Sequence, residues 1–379
     1  MTGTANRHWA AINEVSFVAG MRLLFLVFRV FGRWPFRLML YPVLLWYVLT
    51  QGAPRRASRA YLARVRAVQA ERGSASTAAM GRINVPPPER QAPALPPGTG
   101  KTPDQTRDEF HGQSVNHNGN PRSAVSLLDV LRHFAAFAET ILDKMLLWGG
   151  LYPLERVRFH GIEAMNRHIA EKRGTLLICS HLGNLELCRV LSRQRSDLKL
   201  TVLVHTKHAQ AFNQMLGKLD PASQLNLLQV TEMNPATAML LSERIAQGEF
   251  VVIAGDRVPV SPNPRVAMAN FLAEPAAFPI GPYVLASILQ CPLYMLFCQN
   301  NDGQPEVFFE PLRDSVRLPR RRNAKPDSAD NPTQEEVLQQ LVAEYAARLE
   351  AHCLRAPLQW FNFYDFWQLA QLESADAAR

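Results

Sequence analysis

The sequence predicts an α/β fold: a mostly parallel central sheet flanked by helices, with an N-terminal helical membrane anchor. Three observations carry it. Short, almost wholly apolar runs such as Thr175–Cys179 and Phe250–Ala254 read as strands buried on both faces. Amphipathic helical runs alternate with them, the pattern of a layered α/β domain. An apolar, arginine-punctuated stretch at the N-terminus stands apart from both.

That stretch comes first. Residues 1–16 lack a charged n-region feeding a clean apolar core, so no cleavable signal is expected. Val15 to Tyr47 is strongly apolar, yet Arg22, Arg29, Arg33 and Arg37 recur through it. The longest fully apolar piece, Leu38 to Leu49, is shorter than the roughly 20 residues of a simple span. Pro35 and Pro42 interrupt it further. Two readings compete. One is an interfacial anchor with arginines on lipid phosphates and Trp34, Tyr41, Trp46 and Tyr47 at headgroup level. The other is one short span with snorkelling arginines. Arg55 to Arg72 follows as a basic juxtamembrane helix, completing a membrane-associated region over 1–72.

Residues 73–124 are rich in Ser, Thr, Ala, Gly, Asn and Pro, without periodicity, and read as a disordered linker or insert. Helical spacing resumes at Ser126 and ends near Gly149-Gly150. An α/β domain over 125–319 follows. Its strands are expected at Val157–Phe159, Thr175–Cys179, Leu200–Val204, Asn226–Val230, Phe250–Ala254 and Leu293–Cys298. Helices are expected at Ile162–Lys172, Leu185–Gln194, Ala209–Leu219 and Ala236–Gln247, with another ending over Ala286–Leu289. A polar insert over 320–334 precedes a C-terminal segment, 335–379, holding a helix over Glu335–Arg355 and the aromatic cluster Trp360–Trp367.

Composition narrows the function. Lys plus Arg number 41 against 33 Asp plus Glu, giving a net charge of +8 that suits an anionic partner. Zinc-finger spacing, an RNP-like aromatic motif and a Lys-rich tail are all missing, which argues for an anionic membrane surface and against nucleic acid. The five cysteines are odd in number and form no CxxC, so they read as reduced core residues.

The segment with most chemistry is Ser180-His181-Leu182-Gly183-Asn184-Leu185-Glu186-Leu187. A proton-transfer site needs a base titrating near neutrality and a carboxylate to hold it in one tautomer. On a continuous helix, positions five apart do not share a face. His181 and Glu186 therefore meet only if the histidine leaves the strand end and the glutamate opens the next helix. Gly183 tolerates the dihedrals of such a turn and Asn184 suits a helix cap. The free N–H groups at the helix start then become candidates for stabilising an oxyanion or phosphate. The alternative is a polar turn whose histidine is simply hydrogen-bonded. A metal site is not expected, because HExxH and a third ligand are missing. Nor is a serine hydrolase, because GxSxG is missing.

His181-x4-Glu186 after an apolar strand resembles the catalytic box of the lysophospholipid acyltransferase superfamily, and more closely the bacterial lipid A biosynthesis late acyltransferases. Other blocks fit in the same order: Arg33, Arg55, Arg56 and Tyr61; His133 to Ala138; Val204-His205-Thr206-Lys207-His208 and Phe212-Asn213; Gly255-Asp256-Arg257; Phe278-Pro279-Ile280-Gly281-Pro282; and Trp360 to Tyr364. The resemblance covers most of 8–70 and 125–367. It implies direct transfer of a fatty acyl group from an acyl carrier protein (ACP) or coenzyme A (CoA) thioester to a hydroxyl or amine of a lipid or glycolipid. Acyl-ACP or acyl-CoA is then a co-substrate, with no bound cofactor. His181 is the implied base and Glu186 its orienting carboxylate. Asn184, Arg257, Phe278 and Gly281 are implied substrate-binding residues, though Asn184 reads equally as a cap and Arg257 equally as an ion-pair partner of Asp256. His205, Lys207 and His208 form a basic cluster that reads mainly as a solvated loop. The terminal aromatics read mainly as core. The implied location is the cytoplasmic face of a bacterial inner membrane. The alternatives are an acyltransferase for a different small-molecule or glycolipid acceptor, and a non-catalytic lipid-binding protein of the same fold.

Overall fold

The computed structural model describes residues 23, 25–80, 124–188, 198–204, 226–229, 234–259, 264–319 and 332–368. The expected helix over 209–219, the basic cluster at 205–208, the insert core at 320–331 and most of the linker lie outside them. The chain divides into two compact units, Met1–Val65 with Val125–Arg379, and Arg66–Ala124. Within the second unit, Arg66 donates to the Ala124 carbonyl at 3.0 Å.

Residues 25–31 are helical, and α1 (Trp34–Thr50) and α2 (Gly52–Met80) follow. Pro35 sits at the start of α1, where its missing N–H costs nothing. Pro42 lies inside α1 and does not end it, against the expected interruption. The helix survives because its faces dock elsewhere: Val48 packs with Val130 and Phe134, and Leu44 lies against the same cluster. α2 overruns the expected boundary at residue 72, through an alanine-rich tail without proline. α3 (Leu127–Trp148) starts at a capping box, Ser126 accepting from Asp129 N while the Asp129 side chain accepts from Ser126 N.

The domain proper is one seven-stranded sheet in the order β1-β9-β8-β2-β5-β3-β4. Its strands are β1 (Arg158–His160), β2 (Thr175–Cys179), β3 (Leu200–Val204), β4 (Asn226–Gln229), β5 (Phe250–Ala254), β8 (Leu293–Asn301) and β9 (Gln304–Arg313). The five strands from β8 to β4 run parallel; β9 pairs antiparallel with β8, and β1 lies parallel to β9. A separate hairpin joins β6 (Val266–Phe271) and β7 (Glu274–Pro279). The helices are α4 (Ile162–Ala170), α5 (Pro235–Ala246), α6 (Gly281–Leu289) and α7 (Gln334–Arg355). β2 is buried along its whole length, as its unbroken apolar run requires of a central parallel strand. The α/β class, with a mostly parallel central sheet and flanking helices, is therefore the expected one.

The N-terminal region is helical as expected, but without the features of a spanning anchor. Among the described residues no helix is long and apolar enough to cross a membrane. α1 has 17 residues, so it reaches about 25 Å at 1.5 Å per residue, short of a hydrocarbon core of about 30 Å. Arg33, just before α1, and Arg37, within it, are also committed within the protein. Arg33 bonds Asp143 at 2.5 Å and Glu139 at 3.3 Å, and Arg37 bonds Glu139 at 2.6 Å. They pin α1 to α3 rather than standing free for lipid phosphates.

Candidate active site

β2 and β5 are adjacent and parallel, with Cys179 opposite Ala254. Each strand runs two residues further before it places a titratable side chain: His181 after β2, Asp256 after β5. Pairing continues past the strand ends, because Gly255 N donates to the Cys179 carbonyl at 2.8 Å. Gly255 has no room for a side chain; a Cβ there would run into Ile178 and the Tyr345 ring. The register therefore sets His181 beside Asp256 at the carboxyl ends of neighbouring strands, where open α/β sheets bind their ligands.

The pair is tightly made. His181 Nδ1 lies 2.7 Å from Asp256 Oδ1, and the His181 backbone N–H donates to Oδ2 at 2.7 Å. Asp256 Oδ2 also accepts from Trp360 Nε1 at 2.9 Å and from Asn362 Nδ2 at 3.2 Å. Asp256 is fully buried. Burial alone raises a carboxyl, but the charge of His181 and the hydrogen bonds from His181 and Trp360 outweigh it and hold Asp256 below its ordinary value. An ionised carboxylate only accepts, so Nδ1 carries a proton toward Asp256, and in the neutral imidazole the lone pair is then on Nε2. Nε2 has no partner among the described residues, and the His181 side chain is 30% exposed. The arrangement is a partly accessible base with a buried, fixed carboxylate behind it.

Glu186, expected to orient the imidazole, is not bonded to it among the described residues. The carboxylate on the His181 imidazole is that of Asp256, 75 residues along the chain, and Glu186 does not hold it. After Asn184 the chain makes a single 3₁₀ turn, Leu185–Leu187. Beyond residue 188 the expected helix lies outside the described residues. Asn184 does cap this turn, its Oδ1 accepting from Glu186 N at 3.1 Å. Gly183 does adopt a left-handed backbone, φ 61°. A Cβ on Gly183 would strike the Cys298 carbonyl, so glycine is required here twice over. Three N–H groups of the turn are engaged within the protein: Gly183 N on the Gln359 carbonyl, Glu186 N on Asn184 Oδ1 and Leu187 N on the Asn184 carbonyl.

The C-terminal segment closes the site. Leu182 and Trp360 form an antiparallel bridge, and Phe361 N donates to the His181 carbonyl at 2.8 Å. Trp360 is fully buried, so it is core as expected, but it is also a donor to the central carboxylate. Its carbonyl bonds His133 Nε2 at 3.0 Å, and His133 Nδ1 bonds Ser58 Oγ at 2.9 Å. Burial pushes His133 down to about 4, against the pull of its bond to Trp360.

The remaining expected residues lie elsewhere. Arg257 is not paired with Asp256: its Nε donates to Asn362 Oδ1 at 2.8 Å and an amino group to the Phe361 carbonyl at 3.2 Å. It fastens the segment that holds Asp256, although the residue itself is exposed. Phe278 is fully buried among Phe271, Tyr345 and Phe366, so it is core and not a groove wall. Gly281 opens α6 with free space around it. Cysteine chemistry is disfavoured. Burial pushes the Cys179 thiol well up, and contact with Cys298, Sγ to Sγ 3.9 Å, together with burial does the same for Cys188. No group of residues fit to hold a metal occurs among the described residues.

The sequence places Asp256, Trp360 and Asn362 in family-like blocks but does not join them to His181. One signal was present. Thr175-Leu-Leu-Ile-Cys-Ser-His181 and Phe250-Val-Val-Ile-Ala-Gly-Asp256 share one plan: five strand residues, one small residue, then a titratable group.

A comparison with curated proteins gave no match. The sequence model of the bacterial lipid A biosynthesis acyltransferases matches residues 152–368, which includes β1, both strand ends of the site and Trp360. That span is more than half of the chain, and the chain belongs to the bacterial lipid A biosynthesis acyltransferase family.

Proposed function

We propose that the protein moves a fatty acyl group from an ACP or CoA thioester to a hydroxyl or amine of a lipid or glycolipid, at the cytoplasmic face of the bacterial inner membrane. The observation that carries the reading is the 2.7 Å contact of His181 Nδ1 with the buried Asp256, which leaves Nε2 as the base. The acceptor O–H gives its proton to Nε2 as its oxygen attacks the thioester carbonyl. Asp256 stabilises the imidazolium so formed, as a triad carboxylate does. The tetrahedral intermediate collapses, the C–S bond breaks, and the departing thiolate takes the proton back from Nε2. No covalent acyl-enzyme is required, because the thioester arrives activated.

Membrane attachment is supported by the exposed apolar surface of α1. Trp34, Leu38, Met39, Tyr41, Trp46 and Leu49 are exposed together. Such a surface, too short to span, suits a helix lying in the interface with aromatic residues at headgroup depth. The net charge of +8 favours an anionic lipid surface.

The test uses the full chain in detergent, labelled acyl-ACP and acyl-CoA in parallel, and a bacterial lipid extract. Wild type transfers label to lipid, and His181→Ala loses about 10²–10⁴-fold, the worth of a positioned base. Equal transfer by the two proteins overturns the assignment.

A further inference from the structure

Ser58 and His133 take no part in the proton transfer above, yet both are buried polar residues close behind the site. Ser58 is fully buried and His133 is 1% exposed. Ser58 lies on α2 and His133 on α3. The His133 ring sits among the rings of Tyr61, Phe134, Phe361 and Phe363, with centroids 4.8 to 6.4 Å away. A phenyl ring would suit such neighbours and bring no polar atom to be desolvated. An imidazole stands there instead, with both nitrogens engaged.

The two contacts fix its tautomer. Burial keeps the imidazole neutral. The Trp360 carbonyl only accepts, so His133 Nε2 carries the proton and donates at 3.0 Å. Nδ1 is then the acceptor, and the Ser58 hydroxyl donates to it at 2.9 Å. Ser58 thereby keeps the proton on the nitrogen that meets Trp360.

Trp360 needs that hold. Its bridge to Leu182 is made by the hydrogen bonds of the residues on either side, Gly183 N to the Gln359 carbonyl and Phe361 N to the His181 carbonyl. The Trp360 carbonyl itself is left to α3, where His133 takes it. The same residue sends its indole N–H to Asp256 Oδ2 at 2.9 Å. The backbone that His133 grips is therefore the base from which the indole reaches the carboxylate behind His181.

We propose that His133, oriented by Ser58, is a positioning residue for acyl transfer that acts through Trp360 and its indole donor to Asp256. The role rests on the acyl-transfer reading; the positioning of the indole can be seen without turnover.

The experiment is a double-mutant cycle of His133→Phe and Trp360→Phe on the full, folded chain in detergent, with kcat and KM measured for the acyl thioester. His133→Phe keeps a ring and removes both polar contacts. It is expected to lower kcat about three- to tenfold with little change in KM, the worth of a neutral hydrogen bond. Added to Trp360→Phe, it is expected to change kcat by less than about twofold, because the indole it positions is gone. His133→Gln, whose amide can donate to the same carbonyl, should recover most of the loss. Ser58→Ala frees the tautomer and replaces His133→Phe in the cycle if that variant does not fold. With indole-labelled ¹⁵N-tryptophan, the Trp360 N–H signal, assigned by its absence from Trp360→Phe, should move upfield in His133→Phe and stay near its wild-type place in His133→Gln. An unchanged kcat, an equal loss with and without the indole, or an unmoved indole signal each overturns the proposal. A wild type that transfers no label overturns the acyl-transfer reading and the catalytic role with it, whereas the indole signal still tells whether His133 sets Trp360.

Discussion

Trp360 Nε1 donates to Asp256 Oδ2 at 2.9 Å, from a segment 104 residues beyond the carboxylate it steadies. That contact makes an aromatic core residue part of the site. Trp360→Phe keeps the ring and removes only the donor. It is expected to lower kcat about tenfold with little change in KM, since one hydrogen bond to a charged group is worth about 1.5–3 kcal/mol. An unchanged kcat would reduce Trp360 to packing.

Asp256 also links the site to acid stability. Its folded value is depressed below the ordinary 3.8, so its contribution is present above that value and is lost as pH falls through the folded one. Asp256→Asn removes this dependence. Denaturant unfolding between pH 5 and pH 2, within the range where the chain stays soluble, should show a shallower acid decline for the variant. An identical decline would mean that the carboxylate is not held ionised by its neighbours.

His133 acts in a different window. Its folded value is about 4, against an ordinary 6.5. Between those values the unfolded chain takes up a proton that the folded chain refuses, so stability falls as pH drops through the window, by roughly 1.4 kcal/mol per pH unit. His133→Gln should flatten that slope between pH 6.5 and 4. A slope unchanged by the substitution would show that other groups set it.

Gly183→Ala sets a side chain against the Cys298 carbonyl at φ 61°. Strain of that kind costs on the order of 1–3 kcal/mol, and the turn carrying His181 must shift to relieve it. Both the unfolding midpoint and transfer activity are expected to fall. A variant equal to wild type in both would show that the turn is not built as described.

The exposed apolar surface of α1 predicts how the protein partitions. Trp34→Gln, Leu38→Gln and Trp46→Gln together change residues exposed by 70%, 62% and 65%, so the fold should persist. At about 1.5–3 kcal/mol for each buried side chain, vesicle binding should weaken by about a hundredfold or more. Co-sedimentation with anionic vesicles measures it, and undiminished binding would move the membrane contact elsewhere.

Much of the fold was legible in local pattern. The buried runs at β2, β3, β5 and β8 are too apolar to sit anywhere but a sheet interior, and each is a strand where expected. β9 was missed because Pro305, Glu306, Glu310 and Pro311 break its apolar pattern, although pairing with β8 holds it. The β6–β7 hairpin was missed because its alanines and Pro275 and Pro279 carry weak strand signals. At the site, the local features were readable: His181 at a strand end, Gly183 in the turn, Asn184 as its cap. The identity of the carboxylate was not. Glu186 is near in sequence, whereas Asp256 is near only once β2 and β5 are paired in register.

Asp256, and not Glu186, contacts the imidazole of His181. Side-by-side acyl-transfer rates of folded Asp256→Asn and Glu186→Gln test it most directly. Asp256→Asn keeps the shape but can present an N–H to Nδ1 and favour the wrong tautomer, a change that costs about 10⁴ in kcat in a triad. A loss of at least about 10³ is expected for Asp256→Asn, with Glu186→Gln retaining at least about tenfold more activity. An Asp256→Asn enzyme near wild-type rate, beside an inactive Glu186→Gln, would contradict it.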